Sequence, residues 1–152
     1  MQTLTIDTGM KEYLINNRAV LRFNPSDPNL YHRFFAAATK LDALDAELTE
    51  QLKTLPEADD TARAERGLAL LTDYDHRIKA LLTEIFGGEN DFDKVLEGVN
   101  LAGTGANGKR VVQNLFDTLT PILQDGAAQH LQTAAANARA KADAARAARE
   151  QA

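Results

Sequence analysis

Hydrophobic and polar positions follow two different periods along this chain, first two residues and then about three and a half. Thr3 to Asp7 reads Thr, Leu, Thr, Ile, Asp. That alternation predicts a half-buried strand, broken at Gly9. Tyr13-Leu14-Ile15 and Val20-Leu21-Arg22-Phe23 are β-prone and flank Asn16-Asn17. Asparagine tolerates the positive φ of a tight hairpin turn, so a turn is expected there. Two or three antiparallel strands follow from this pattern. A lone hairpin is marginal in water, so the sheet should pack on a helix.

The period then lengthens. Asp27-Pro28 is a helix start, with aspartate free to cap backbone amides and proline suited to the first helical position. Apolar residues fall at Tyr31, Phe34, Phe35, Ala38, Leu41, Leu44, Leu48, Leu52 and Leu55. Phe34, Leu41, Leu48 and Leu55 recur every seven residues, a seam that permits self-association without requiring it. Pro56 marks the exit. Asp59-Asp60-Thr61 supplies caps for a second helix with the stripe Leu68, Leu71, Tyr74, Ile78, Leu81 and Ile85. Phe86-Gly87-Gly88 stops it, glycine being free to take a positive φ. Two long helices with a short connection make a helical hairpin.

Asn90 or Asp91 is the expected cap of a short helix carrying Phe92, Val95 and Leu96, ended by Gly98. A glycine-rich loop runs from Gly103 to Gly108, with Asn107 as a candidate cap for the helix beyond it. That helix carries Val111, Val112, Leu115, Phe116, Leu119, Ile122 and Leu123. Pro121 should kink or split it by removing a backbone donor and crowding the preceding turn. From Ala127 half of the residues are alanine, without a large apolar stripe. Alanine favours helix, but such a helix buries little area and should protrude or fray. The expected fold is therefore α+β and mostly α. Residues 1–126 form a β-hairpin plus helical domain, and residues 127–152 an alanine-rich extension with freedom to move.

Composition narrows the chemistry. The formal charge of −5 argues against a nucleic-acid binder, whose footprint would be basic. The absence of cysteine removes disulfides and thiolate chemistry. Neither a signal peptide nor a membrane-spanning run is visible, which points to the cytoplasm. Gly103-Thr104-Gly105-Ala106-Asn107-Gly108-Lys109 fits G-x-x-x-x-G-K, a phosphate-cradling pattern. Arg110 stands where a magnesium-binding Ser or Thr belongs, and a buried strand does not precede the loop. A flexible connection is the expected role. His32, His76 and His130 are too far apart to share a metal on one helix. Asp73-Tyr74-Asp75-His76 looks like a ligand cluster, but neighbours on a helix diverge, so a solvated face is expected. The carboxylates between Asp42 and Asp60 share one environment, unlike an acid–base pair. Ser26, the only serine, serves a turn. The sequence thus predicts no catalytic, cofactor-binding or metal-binding residue. Apolar helix surface is what remains to be used.

In its order of motifs the chain resembles the small tail assembly chaperones of long-tailed, siphovirus-type bacteriophages of Gram-positive hosts. The resemblance rests on Leu4-Thr5-Ile6-Asp7-Thr8-Gly9, Glu12-Tyr13, the Ile15-Asn16 turn and Arg22-Phe23-Asn24-Pro25-Ser26-Asp27. It continues through Ile85-Phe86-Gly87 and the apolar helix to Ile122. The alanine-rich end departs from the family's pattern. The resemblance implies a non-enzymatic protein of the host cytoplasm that binds the tape measure protein and helps recruit tail tube subunits. Such a chaperone is absent from the mature virion, and many relatives have a longer frameshifted form. Tyr31, Phe34, Phe35, Leu115 and Phe116 are expected to be partner-binding residues or their immediate support. The alternatives are a structural virion protein, such as a tail or head-tail completion component, and a small nucleotide-binding enzyme using Lys109.

Overall fold

The computed structural model describes residues 1–56 and 59–151; the last residue of the expected extension lies outside them. The fold is α+β and mostly α. A two-stranded antiparallel sheet, β1 (Lys11–Ile15) and β2 (Ala19–Phe23), leads into α1 (Pro28–Lys53) and α2 (Asp60–Phe86). A single-turn helix, α3 (Phe92–Val95), and a 40-residue helix, α4 (Val111–Glu150), complete it.

Local chemistry explains most boundaries. Asn16 and Asn17 take φ of 52° and 61°, and the Arg18 amide donates to the Ile15 carbonyl at 3.0 Å. Asp27 caps α1 by accepting from the Asn29 amide at 2.9 Å, with proline at the first helical position. Asp59 caps α2, and Gly87 ends it at φ 91°. Asp91 caps α3 through the Asp93 amide. Asn90, the other candidate cap, is buried and does something else. Its side chain accepts from the Arg22 amide and donates to the Arg22 and Phe86 carbonyls, each at 2.9 Å. One amide group thus finishes the outer edge of β2 and ties it to the end of α2.

Three expectations are corrected. Thr3–Asp7 is not a strand: residues 1–10 lack regular structure, and Leu4 and Ile6 are 85% and 78% exposed. No partner strand covers that segment among the described residues, so its alternation goes unused within the chain. Pro121 does not split the last helix, which runs unbroken from Val111 to Glu150. Packing on both sides of it, through Leu119 and Leu123, offsets the lost donor. In α2 the buried apolar residues are Tyr74, Ile78, Leu82, Ile85 and Phe86, Leu71 and Leu81 are half-buried, and Leu68 is exposed. The burial stripe spirals away from Leu68 toward the lower half, where α1, α3 and the hairpin gather.

The core is organised by aromatic rings. All six phenylalanines of the chain join one network. Phe34 of α1 stacks on Phe116 of α4 with ring centres 4.4 Å apart, and meets Phe86 edge-on at 6.4 Å. Phe86 also contacts Phe23 of β2 and Phe92 of α3. Each such pair adds roughly 0.5–1.5 kcal/mol beyond the area it buries.

Polar ties lock the same elements. Arg33 donates to the Ile85 carbonyl at 3.1 Å, serving the otherwise cation-free last turn of α2. Lys79 bridges buried Asp75 at 2.9 Å and exposed Asp93 at 2.7 Å. Asp75 also accepts from the Leu101 amide at 2.6 Å. Burial alone would pull the Lys79 ammonium down; hydrogen bonds and charge from Asp93 and Asp75 outweigh it and hold its pKa above the ordinary lysine value. The Lys79 hydrogen bond and charge hold the Asp93 carboxyl below the ordinary aspartate value. Lower down, Gly126 is the last buried residue of α4, and a Cβ built there would fall on the Pro25 carbonyl. Only glycine lets α4 approach the turn before α1 this closely. None of the helices is long and apolar enough to cross a membrane, among the described residues.

Gly126→Ala should cost about 2 kcal/mol of unfolding free energy through backbone overlap, read by urea denaturation. Lys79→Met should cost a similar amount, about 2 kcal/mol near neutral pH, because it strands the Asp75 carboxylate. The lysine share of that stability is present below its ordinary pKa and lost as pH rises past the raised folded value. The Asp93 share is present above the ordinary aspartate value and lost as pH falls through the lowered folded one. Denaturation midpoints against pH should therefore fall at both extremes in the parent and more weakly in Lys79→Met.

Candidate functional site

Helices α1 and α4 and the loop before α4 line a groove of about 850 Å³, tied across by the Phe34–Phe116 stack and by Arg110 bound to Asp45 and Thr49. Its floor is apolar: Phe34, Phe35, Ala38 and Leu41 come from α1, and Val112 and Phe116 from α4. Its rim is charged, with Asp42 and Asp45 on one side and Lys109, Arg110 and Asp117 on the other. The heptad positions Phe34, Leu41 and Leu48 are buried, so that seam holds the molecule together. The residues beside it, Phe35, Ala38 and Leu52, are the half-buried ones that line the groove.

The five sequence-predicted residues divide by depth. Phe35 lines the groove, and Tyr31 backs it with ring centres 4.6 Å apart. Phe34 and Phe116 form the floor but are almost wholly buried, so they support the surface more than they present it. Leu115 is buried and does not line the groove. Periodicity alone could not separate Leu115 from Phe116, since adjacent positions on a buried helix are both apolar.

Arg110 is the residue that sequence reasoning missed. It bonds the Asp45 carboxylate, donates to the Ala102 carbonyl at 2.8 Å and reaches the Thr49 hydroxyl at 3.0 Å. One guanidinium thus straps the glycine-rich loop and the start of α4 onto the middle of α1. Its partners are 8, 61 and 65 residues away, so no local motif announces it. Arginine suits the task because its planar fork donates in several fixed directions.

The glycine-rich loop is folded on itself. The Gly103 amide donates to the Asn100 side chain, the Gly105 amide to the Lys109 carbonyl and the Gly108 amide to the Gly105 carbonyl. The Lys109 amide donates to Asn107, and its ammonium lies 3.4 Å from Asp117. These amides point at protein acceptors, where a phosphate cradle would keep them free. Asn107 does not cap α4. It exchanges hydrogen bonds with Asn114 at 2.8 and 3.2 Å, while Arg110 holds the cap position without a side-chain bond.

The Asp73–His76 run departs from the expected solvated face. Asp73 and His76 are exposed, but Asp75 is buried with its two partners and Tyr74 lies in the core. Burial pushes the Tyr74 phenol up, helped by the nearby Glu47 carboxylate. Among the described residues no group of three or more histidine, aspartate or glutamate side chains is arranged to hold a metal ion.

Beyond Gly126 the last helix leaves the body. Residues 128–150 are exposed throughout, Leu131 at 69% among them. At 1.5 Å per residue the arm reaches about 35 Å past the core. It carries Arg139, Lys141, Arg146 and Arg149 against Asp143 and Glu150. The net of +2 leaves −7 on the rest of a chain whose total is −5. The molecule is thus an acidic body with a basic helical arm.

Searches of family models, curated proteins and solved structures returned no match to this chain.

The loop geometry yields a prediction. Magnesium-ATP or magnesium-GTP at millimolar concentration should leave the melting temperature of the protein unchanged, and Lys109→Ala should bind no less than the parent. A nucleotide-dependent rise lost in Lys109→Ala would reverse this reading of the loop.

Proposed function

We propose that this protein is a non-catalytic tail assembly chaperone of a long-tailed bacteriophage. In this reading it binds the tape measure protein and helps recruit tail tube subunits in the host cytoplasm, and it stays out of the mature virion. The observation that carries the proposal is the groove between α1 and α4, joined to the motif order of the sequence. Half-buried apolar anchors beside a charged rim are what an amphipathic helix needs from a docking surface. The helix's apolar stripe would lie on the half-buried Phe35, Ala38 and Leu52, and its polar flanks would meet Asp42 and Lys109. A tape measure chain exposes apolar helical stripes until tube protein covers it, so it needs such a cover. The charge of −7 on the body keeps loaded complexes apart in solution.

On this reading, the test is co-expression with the tape measure protein of the same phage. The parent should raise the soluble fraction of the client several-fold. Ala38→Arg, which places a charge on the groove floor at a half-buried site, should return it to the level without chaperone while keeping the parental circular dichroism. Equal client solubility with and without the parent overturns the proposal. So does mass-spectrometric recovery of the chain from purified virions in stoichiometric amount, the outcome a structural tail component would give.

A further inference from the structure

The chain carries both a segment with a strand's alternation but no regular structure and a sheet edge without a partner. The segment is Thr3–Asp7, whose alternating Leu4 and Ile6 are among the most exposed large apolar side chains of the described residues. The edge is that of β1. Asn90 engages both the N–H and the C=O of Arg22, so those groups point away from β1 and Glu12–Arg22 is a non-hydrogen-bonded pair. By alternation, the backbone groups of β1 that point outward belong to Glu12 and Leu14. Among the described residues nothing pairs with them, since the sheet has two strands. On the outer face of the hairpin, Leu14 and its cross-strand partner Val20 are exposed at 59% and 49%.

The segment does not fold back onto its own edge. The Thr8 carbonyl accepts from the Asn24 side chain at 2.7 Å, and the Gly9 amide donates to Asp7 at 3.0 Å. Gly9 sits at φ 81°, where a Cβ would lie 2.9 Å from the Asn24 amide nitrogen. These ties hold residues 8 and 9 beside the end of β2 and send the first seven residues away from the β1 edge.

We propose that Thr3–Asp7 of one copy adds as a third, antiparallel strand to β1 of a second copy. Setting Leu4 opposite Leu14 fixes the register. Ile6 then faces Glu12, Thr5 faces Tyr13 and Asp7 faces Lys11. Three features meet in that one register. Leu4 and Ile6 supply the backbone bonds to Leu14 and Glu12, the outward-facing residues. Leu4, Ile6, Leu14 and Val20 fall on one face and cover one another. Asp7 meets Lys11 with opposite charge. A slip of one residue would send Leu4 and Ile6 to the opposite face and bring Asp7 toward Glu12 or Met10. The occupant is a second copy because strand and edge are complementary parts of the same chain, and exchange of such an element is a low-cost route to association. The proposal stands apart from the reading of function, since neither the groove nor a client enters it.

The absence of native cysteine makes the test direct. Opposed residues in a hydrogen-bonded antiparallel pair have Cα atoms about 5.5 Å apart, within disulfide reach. Full-length chains carrying Ile6→Cys and Glu12→Cys separately are mixed and oxidised. The expected product is the mixed disulfide between residues 6 and 12, in several-fold excess over either homodisulfide and lost when the first chain also carries Leu4→Asp. In parallel, light scattering should give the parent a mass at least twice 16.6 kDa, and Leu4→Asp/Ile6→Asp the mass of one chain. Those two residues are exposed, so the variant should retain the parental circular dichroism. A monomeric parent at every concentration, an oligomer that survives Leu4→Asp/Ile6→Asp, or a chain bearing both cysteines that closes the bond within itself would each overturn the proposal.

Discussion

The stack of Phe34 on Phe116, with Phe86 edge-on beside them, is the contact on which the arrangement of elements depends. Through Phe86 it reaches Phe23 of the hairpin and Phe92 of the short helix, so every segment but β1 delivers a phenylalanine to the same place. β1 joins through Tyr13, stacked on Phe23 at 4.6 Å. With aromatics only 6% of the chain and no tryptophan, nearly all of this hydrophobic payload is concentrated at one junction. The groove exists because of it. The rings hold α1 and α4 together at the stack, Arg110 holds them again at Asp45 and Thr49, and small Ala38 lines the space beside these ties.

What the sequence revealed is what short-range physics decides. Asn16-Asn17, Asp27-Pro28 and Phe86-Gly87 each fix a turn or a helix end through their own backbone preferences, and all three stand where those preferences put them. The heptad Phe34, Leu41, Leu48 is buried because a helix needs one apolar face inward. The misreadings have a common cause. Asn90, Asp75 and Arg110 are polar residues that each have a partner 26 to 68 residues away. Each looked locally like a cap, a solvated carboxylate or a misplaced motif residue. Each closes a backbone or a charge brought near it only by the finished fold.

The lining of the groove was half legible on the same grounds. Phe35 and Phe116 stood out as apolar positions on their helices, and Phe35 lines the groove while Phe116 paves it. Leu115 did not separate from its neighbour because a burial stripe gives direction to within a residue, no finer. The glycine-rich loop shows the opposite failure of pattern reading. Its spacing imitates a phosphate loop, yet its amides close turns and its lysine meets an aspartate. A motif specifies residue types; where the amides point depends on the strand and helix on either side of it.

Because α4 is one uninterrupted helix, the groove wall and the projecting arm are a single ruled object. Each residue inserted or deleted beyond Gly126 would turn everything distal by about 100° and move it by 1.5 Å relative to Phe116. A flexible tether would absorb such changes silently. Here, the compass bearing of Arg139, Lys141 and Arg149 around the axis is set by integer residue counts.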